Sequence, residues 1–158
     1  MRYLTQHFSV AEFTASQTAT RLGIDNSLPE ELFGAARKTA MLLEQIRQYL
    51  SHLTGREIPI QITRGYACLE LNRALKSDDT SHHVIACAAD IIAPAFGSAT
   101  DVALAIVSQV NRLGIGQLIN EYPDRNGWVH VSTKMTSKPI NQVITITASG
   151  TKPGINRA

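Results

Sequence analysis

Apolar residues along this chain recur with two periods. Val10 and Phe13 follow Ser9, and Glu12 stands three residues after that serine. This is the capping-box spacing, so a short helix is predicted to start at Ser9, and RLGIDNSLP breaks it. Leu32, Ala36, Thr39, Leu43, Ile46 and Leu50 then recur in three- or four-residue steps. They predict the longest helix, over 28–53, opened by Ser27, Pro29 and Glu30. After Gly55 the period falls to two, with Ile58, Ile60 and Ile62 alternating with Pro59, Gln61 and Thr63. That alternation predicts a half-buried strand ending at Gly65, with Pro59 at a sheet edge. ACAADIIA suits a buried strand near 86–92, and Ala99 to Leu113 reads as a helix with Val102, Ile106, Val107 and Val110 on one face. QLINE and GWVHVST predict two strands joined by turn residues 122–126, and QVITIT predicts a last strand before a flexible tail, ASGTKPGINRA.

Helices first, then strands mixed with one helix, predict an α+β fold with a small, mainly antiparallel sheet flanked by helices. One helix between the strands after residue 58 is too few for the crossovers of a parallel, doubly wound sheet. The expected organisation is a single domain over 1–147 and a flexible C-terminal tail over 148–158. With 158 residues, 44% hydrophobic and 18% charged, the chain has enough apolar material for a core. Its net charge of +2 comes without a run of Lys or Arg. That argues against a nucleic-acid binder and suits an anionic polymer such as a bacterial cell wall. No segment has the apolar length of a membrane span, and MRYLTQHFSV lacks the basic head and apolar run of a secretory signal. The chain is therefore expected to be made in a bacterial cytoplasm without a signal peptide and to have no membrane partner. Two cysteines are too few for a disulfide scaffold and are not spaced as a CxxC pair.

The residues with metal chemistry are His82-His83, Asp90 seven positions beyond His83, and His130. Neutral imidazoles and a carboxylate are zinc ligand types, and three protein ligands leave a fourth position open for catalysis. A metal there lowers the pKa of a bound water toward about 7 and polarises a carbonyl, as amide hydrolysis requires. The spacing also arises by chance, so incidental histidines remain open at this point. Glu121 is the candidate base. In a hairpin closing over 122–127 it pairs with Trp128 while Ile119 pairs with His130, which puts Glu121 and His130 on one face.

Ser81-His82-His83-Val84-Ile85-Ala86-Cys87-Ala88-Ala89-Asp90 resembles the SxHxxGxAxD signature of the zinc D-Ala-D-Ala metallopeptidases, and Trp128-Val129-His130-Val131-Ser132 resembles their WxHxS signature. HFSVAEF and SQTATRLGIDN resemble the phage-type branch, and ITRGY followed by LNRAL resembles its SxGYRSxxLN segment. The resemblance spans roughly residues 5–135. It implies a compact α+β domain like that of hedgehog signalling proteins. It also implies one Zn2+ held by His83, Asp90 and His130, with Glu121 as the catalytic carboxylate. Ser81 and Trp128 match motif positions expected to shape the metal loop and the substrate groove, beside Tyr66. His82 falls at a variable position and is expected to be an exposed loop histidine.

Three departures stand out. The arginine that follows Gly-Tyr in the family is Ala67 here, and a methyl group does not replace a bidentate guanidinium. Arg64, on the other side of the turn, is the expected substitute for substrate binding, with Arg73 a second possibility. The glycine of the metal signature is Ala86, read as a change that a strand start tolerates. If the Gly-Tyr turn packs on the metal strand, as the family fold implies, Cys68 and Cys87 come within disulfide reach; two free thiols are the alternative.

The resemblance implies a monomeric peptidase cutting peptidoglycan peptides, as a D-Ala-D-Ala carboxypeptidase or a stem-peptide endopeptidase. It would reach the wall through a lysis pore or as a component of a phage particle. The alternative is a catalytically weak metal-binding module for cell-wall binding or phage structure, which Ala67 favours and the ligand set with Glu121 opposes.

Overall fold

The computed structural model describes residues 1–134 and 141–157. Ser9 caps α1 (Val10–Thr14): its hydroxyl accepts from the Glu12 N–H at 3.1 Å, and the Glu12 carboxylate accepts from the Ser9 N–H at 3.1 Å. Helix α2 covers Gln17–Leu22. The long helix α3 (Phe33–Thr54) begins later than its periodicity predicts. Glu30–Leu32 form a 3-10 turn, and the Ser27 hydroxyl turns back to Asp25 instead of capping a helix. Helix α3 stops at Gly55, whose φ of 68° is the left-handed conformation that glycine adopts freely.

Strand β1 covers Gln61–Arg64 only. Ile58 and Ile60 are buried as expected, but Pro59 donates no N–H, so the ladder starts beyond it and β1 takes a sheet edge. Helix α4 (Leu69–Ala74) follows, then β2 (Ala88–Ile92). Helix α5 (Ala99–Ile106) carries a second capping box, Ser98 with Asp101. A 3-10 turn at Val107–Gln109 separates it from α6 (Val110–Leu113), so the one helix expected over 99–113 is two.

The remaining strands are β3 (Ile115–Glu121), β4 (Trp128–Thr133), β5 (Gln142–Thr147) and β6 (Gly150–Pro153). They form a sheet in the order β1-β2-β4-β3-β5-β6. The α+β class agrees with the sequence reading, but the sheet is mixed instead of mainly antiparallel, because β3 and β5 run parallel. Both edges of β4 are taken, by β2 and β3, so β5 lies along the free edge of β3. The expected hairpin register is present: Glu121 pairs with Trp128 and Ile119 with His130.

Part of the expected tail is also strand. Gly150–Pro153 pair with β5, the Asn156 N–H donates to Thr145 Oγ1 at 2.8 Å, and Arg157 reaches Asp101 at 2.9 Å. These bonds tie the end of the chain to β5 and to α5, a closure invisible to local pattern because its partners lie far away in sequence. Ala158 lies outside the described residues.

One sheet face is apolar. Ala89, Ile91, Leu118, Val129 and Val131 belong to a single core with Ala36, Ala40, Leu43 and Ile46 of α3 and Val102 and Ile106 of α5. Each fully buried Leu or Ile contributes roughly 1.5–3 kcal/mol. The opposite face is left to carry polar chemistry. Among the described residues no helix is long and apolar enough to cross a membrane.

The β3–β4 turn depends on Gly127. Its N–H donates to the Tyr122 carbonyl at 3.1 Å, and a Cβ there would collide with the Glu121 carbonyl oxygen. Gly127→Ala is expected to lower stability by about 1–3 kcal/mol through overpacking. Gly34→Ala, in α3 with open space around it, is expected to raise stability by up to about 1 kcal/mol. Urea midpoints of the two variants check this pair, and equal effects would contradict the packing described.

Candidate metal centre

The strand register builds the site. Arg64 pairs with Asp90, Asp90 with His130, and His130 with Ile119, so four strands contribute one row of side chains on the face away from the helical core. Glu121 and Trp128 pair two residues further along the same face.

His83 reaches this row from the loop before β2. The loop is wound by backbone bonds from Val84 to Ser81 (3.1 Å), Ala86 to His83 (3.2 Å) and Cys87 to His82 (2.9 Å). Ala86 therefore sits in a turn at φ 57° and not at a strand start, in a conformation that the signature's glycine would adopt without strain. Its carbonyl accepts from the Thr39 hydroxyl at 2.8 Å, which ties the loop to α3. His83 Nδ1 donates to the Gly65 carbonyl at 2.7 Å. Gly65 has no alternative residue here, since a Cβ would run into the Phe13 carbonyl and ring.

With Nδ1 of His83 so occupied, its Nε2 faces Asp90 Oδ1 at 3.2 Å. His130 uses its nitrogens the other way round. Its Nδ1 lies 2.9 Å from the same Asp90 oxygen, and its Nε2 lies 3.3 Å from Gln117 Oε1. The two rings meet edge to face at 5.1 Å. One donor atom from each of His83, Asp90 and His130 lies within 4.8 Å of the others, and all three residues are buried. Burial alone would raise the Asp90 pKa; the charge of His83 and hydrogen bonds from His130 and His83 outweigh it and hold the carboxyl well below the usual range. The Asp90 anion with two inward-facing imidazole nitrogens is a donor set that fits a zinc ion.

Glu121 is the second carboxyl of this face. Burial, and then the neighbouring Asp90 charge, push its pKa up to about 7 against the opposing pull of His130, Arg64 and Trp128. The Trp128 indole N–H is buried with no hydrogen bond of normal length among the described residues, yet it lies close enough to favour the Glu121 anion. Its ring also packs on Tyr122 at 5.6 Å.

Arg64 is held beside both acids. Burial lowers its pKa while the charges of Asp90 and Glu121 oppose that shift. Its guanidinium donates to Asn72 Oδ1 at 2.6 Å and to Ser77 Oγ at 3.2 Å. Arg73 pairs instead with Asp79 at the surface, at 2.7 Å. Ala67 is buried against Ala19 and Leu71, so the position of the family's arginine is filled by packing.

Tyr66 does not join the row. With Arg64, Thr63, Leu71 and Leu75 it lines a separate cavity of about 250 Å3 against Ala15–Thr18. Ser81 Oγ accepts from the His83 N–H at 3.4 Å, within the loop that carries His83. His82 is buried, not exposed as expected, because the successive turns of residues 81–87 fold it inward. Cys68 and Cys87 are free thiols, and Cys68 caps α4 through its sulfur.

Sequence reasoning missed three supports. Asn72 orients Arg64 and donates to the Asp78 carbonyl at 2.7 Å. Asn26 clamps the Gly-Tyr turn, donating to the Thr14 and Tyr66 carbonyls and accepting from the Cys68 N–H. Gln117 touches His130. Their partners are 6 to 42 residues away, too scattered for a local pattern to show.

A family model described as Peptidase M15 matches residues 6–132. The chain belongs to this family. M15 is the zinc D-Ala-D-Ala carboxypeptidase family, and its peptidases use zinc. The match takes in both motif segments, and the buried His83–Asp90–His130 group is able to bind one such ion. No curated protein matches the chain.

The raised Glu121 pKa has a consequence for the stability of the M15 domain. With a folded pKa of about 7 against an ordinary 4.5, the folded state holds this proton more tightly than the unfolded chain does. Glu121 ionisation therefore destabilises the fold progressively as pH rises from about 4.5 through 7. In chelator-treated protein, the stability of Glu121→Gln relative to the parent is expected to rise across that window and then level off. Urea midpoints measured across pH check it; a pH-independent difference contradicts the assigned environment.

Proposed function

We propose that this protein is a zinc peptidase that hydrolyses peptide bonds of bacterial peptidoglycan. The observation that carries the reading is the convergence of His83 Nε2 and His130 Nδ1 on one Asp90 oxygen, with Glu121 on the same sheet face. His83, Asp90 and His130 would hold the ion, which when bound supplies Lewis-acid chemistry by polarising the scissile carbonyl and acidifying the attacking water.

The other steps belong to the chain. Glu121 takes a proton from the attacking water and returns it to the leaving amine, and its partly desolvated carboxyl suits both roles at neutral pH. Arg64 supplies a fixed positive charge beside the reacting groups, where the family's arginine is missing. Trp128 walls the groove next to Glu121, Ser81 shapes the loop carrying His83, and Tyr66 with Arg64 lines the adjoining cavity. A substrate bearing a carboxylate, such as a D-Ala terminus or a stem-peptide acid, suits that charge. The hedgehog-like fold, monomeric state, and action at the wall during phage lysis or from a virion belong to the same proposal.

Zinc titration with clearance of isolated peptidoglycan tests it. The parent is expected to bind one zinc and to clear the wall in a chelator-sensitive manner. Glu121→Gln is expected to keep zinc and lose about 10²–10⁴-fold in hydrolysis. Zinc binding with wall binding but no hydrolysis in the parent would favour the catalytically weak module, and absence of zinc would overturn the ligand assignment.

A further inference from the structure

A histidine ligates through one nitrogen only if the proton sits on the other, and the hydrogen bond made by that other nitrogen decides where the proton goes. For His83 the Gly65 carbonyl decides it, since a carbonyl only accepts. For His130 the outer nitrogen faces the side-chain amide of Gln117, which presents an acceptor one way round and a donor the other. A donor at that point would leave the lone pair on Nε2 and send the proton to Nδ1, against Asp90.

The orientation of this amide is built into the sheet. Gln117 and Gln142 are register partners on the parallel strands β3 and β5, and Gln117 Nε2 donates to Gln142 Oε1 at 2.8 Å. The Gln117 backbone N–H is held by the buried Ser132 hydroxyl at 3.0 Å, where the β3–β4 register shifts. With its N–H2 directed to Gln142, the amide turns Oε1 to His130 Nε2 at 3.3 Å.

We propose that Gln117, oriented by Gln142, is a positioning residue that fixes His130 in the tautomer whose Nδ1 faces Asp90 as a metal ligand. This rests on the zinc reading above. It also extends the metal centre to β5, which lies beyond the segment matched by the family model.

The test is zinc affinity, by competition with a chromogenic chelator, together with proton NMR of the zinc-loaded protein. The parent is expected to show a protected His130 Nε2–H. Gln117→Leu is expected to lose that protection and to bind zinc 10–100-fold more weakly. Gln117→Glu keeps an acceptor and is expected to restore both readouts. Gln142→Leu, which leaves the Gln117 side chain in place, is expected to weaken zinc and broaden the same resonance; this variant decides the matter should Gln117→Leu not fold. Unchanged affinity and an unchanged Nε2–H in folded Gln117→Leu or Gln142→Leu overturn the proposal. A parent that binds no zinc overturns the zinc reading itself, and the inference with it.

Discussion

A carboxylate removed from water stays ionised only where charges or hydrogen-bond donors replace the lost solvation. Asp90, with 4% of its surface exposed, obtains them from His83, from His130 and from the charge of Arg64 one strand away. The arrangement also fixes the behaviour of Glu121. Two acids near each other in a poorly solvated place do not ionise at the same pH. Asp90 holds the closer imidazoles and takes the low pKa, while Glu121 is pushed up to about 7. One carboxyl becomes a permanent anion suited to a cation, and the other becomes a group able to gain and lose a proton near neutrality.

The rest of the architecture delivers donors to that point. The row Arg64, Asp90, His130 and Ile119 needs β1, β2, β4 and β3 side by side in one register. His83 needs a loop tight enough to place an imidazole above the row, and Ala86 at positive φ and Thr39 from α3 hold that loop. Gly65, whose carbonyl orients His83, packs so closely on Phe13 of α1 that a Cβ would meet it, so a helix opened by a capping box at the start of the chain backs the metal loop. Loss of apolar packing under α1 or α3 would therefore be felt at the site through main-chain carbonyls, without touching a ligand.

Legibility in the sequence followed the range of the interaction. The Ser9–Glu12 capping box and the Glu121–Trp128 hairpin register are local, and both are readable from spacing. The α3 periodicity was readable but its start was not, because Ser27 had a competing partner two residues away in Asp25. The parallel β3–β5 pairing and the bonding of Asn156 to β5 join segments whose partnership no short window contains. Burial of His82 and the left-handed Ala86 come from loop winding that a signature read as letters does not reveal. The supporting amides Asn26, Asn72 and Gln117 look like ordinary polar residues until their tertiary partners are known.

The surroundings of the Gly-Tyr turn show how a charge takes its character from its setting. At position 67 the side chain is packed between Ala19 and Leu71, and a guanidinium there would have to pass through that contact. Arg64 instead stands in the row itself, one pairing from Asp90. Its two terminal nitrogens are already engaged, with Asn72 at 2.6 Å and Ser77 at 3.2 Å, and Nε is buried with no hydrogen-bond partner among the described residues. Such a guanidinium is not free to close as a two-pronged clamp on a substrate carboxylate, because that would break the short bond to Asn72. In the proposed reading it would act through its field: a fixed cation in a partly dry site steadies both acids and would attract a carboxylate of the substrate without choosing its orientation. In the proposed peptidase, discrimination between a terminal carboxylate and one on a peptide side chain then rests on other groups of the site, not on the geometry of an arginine fork.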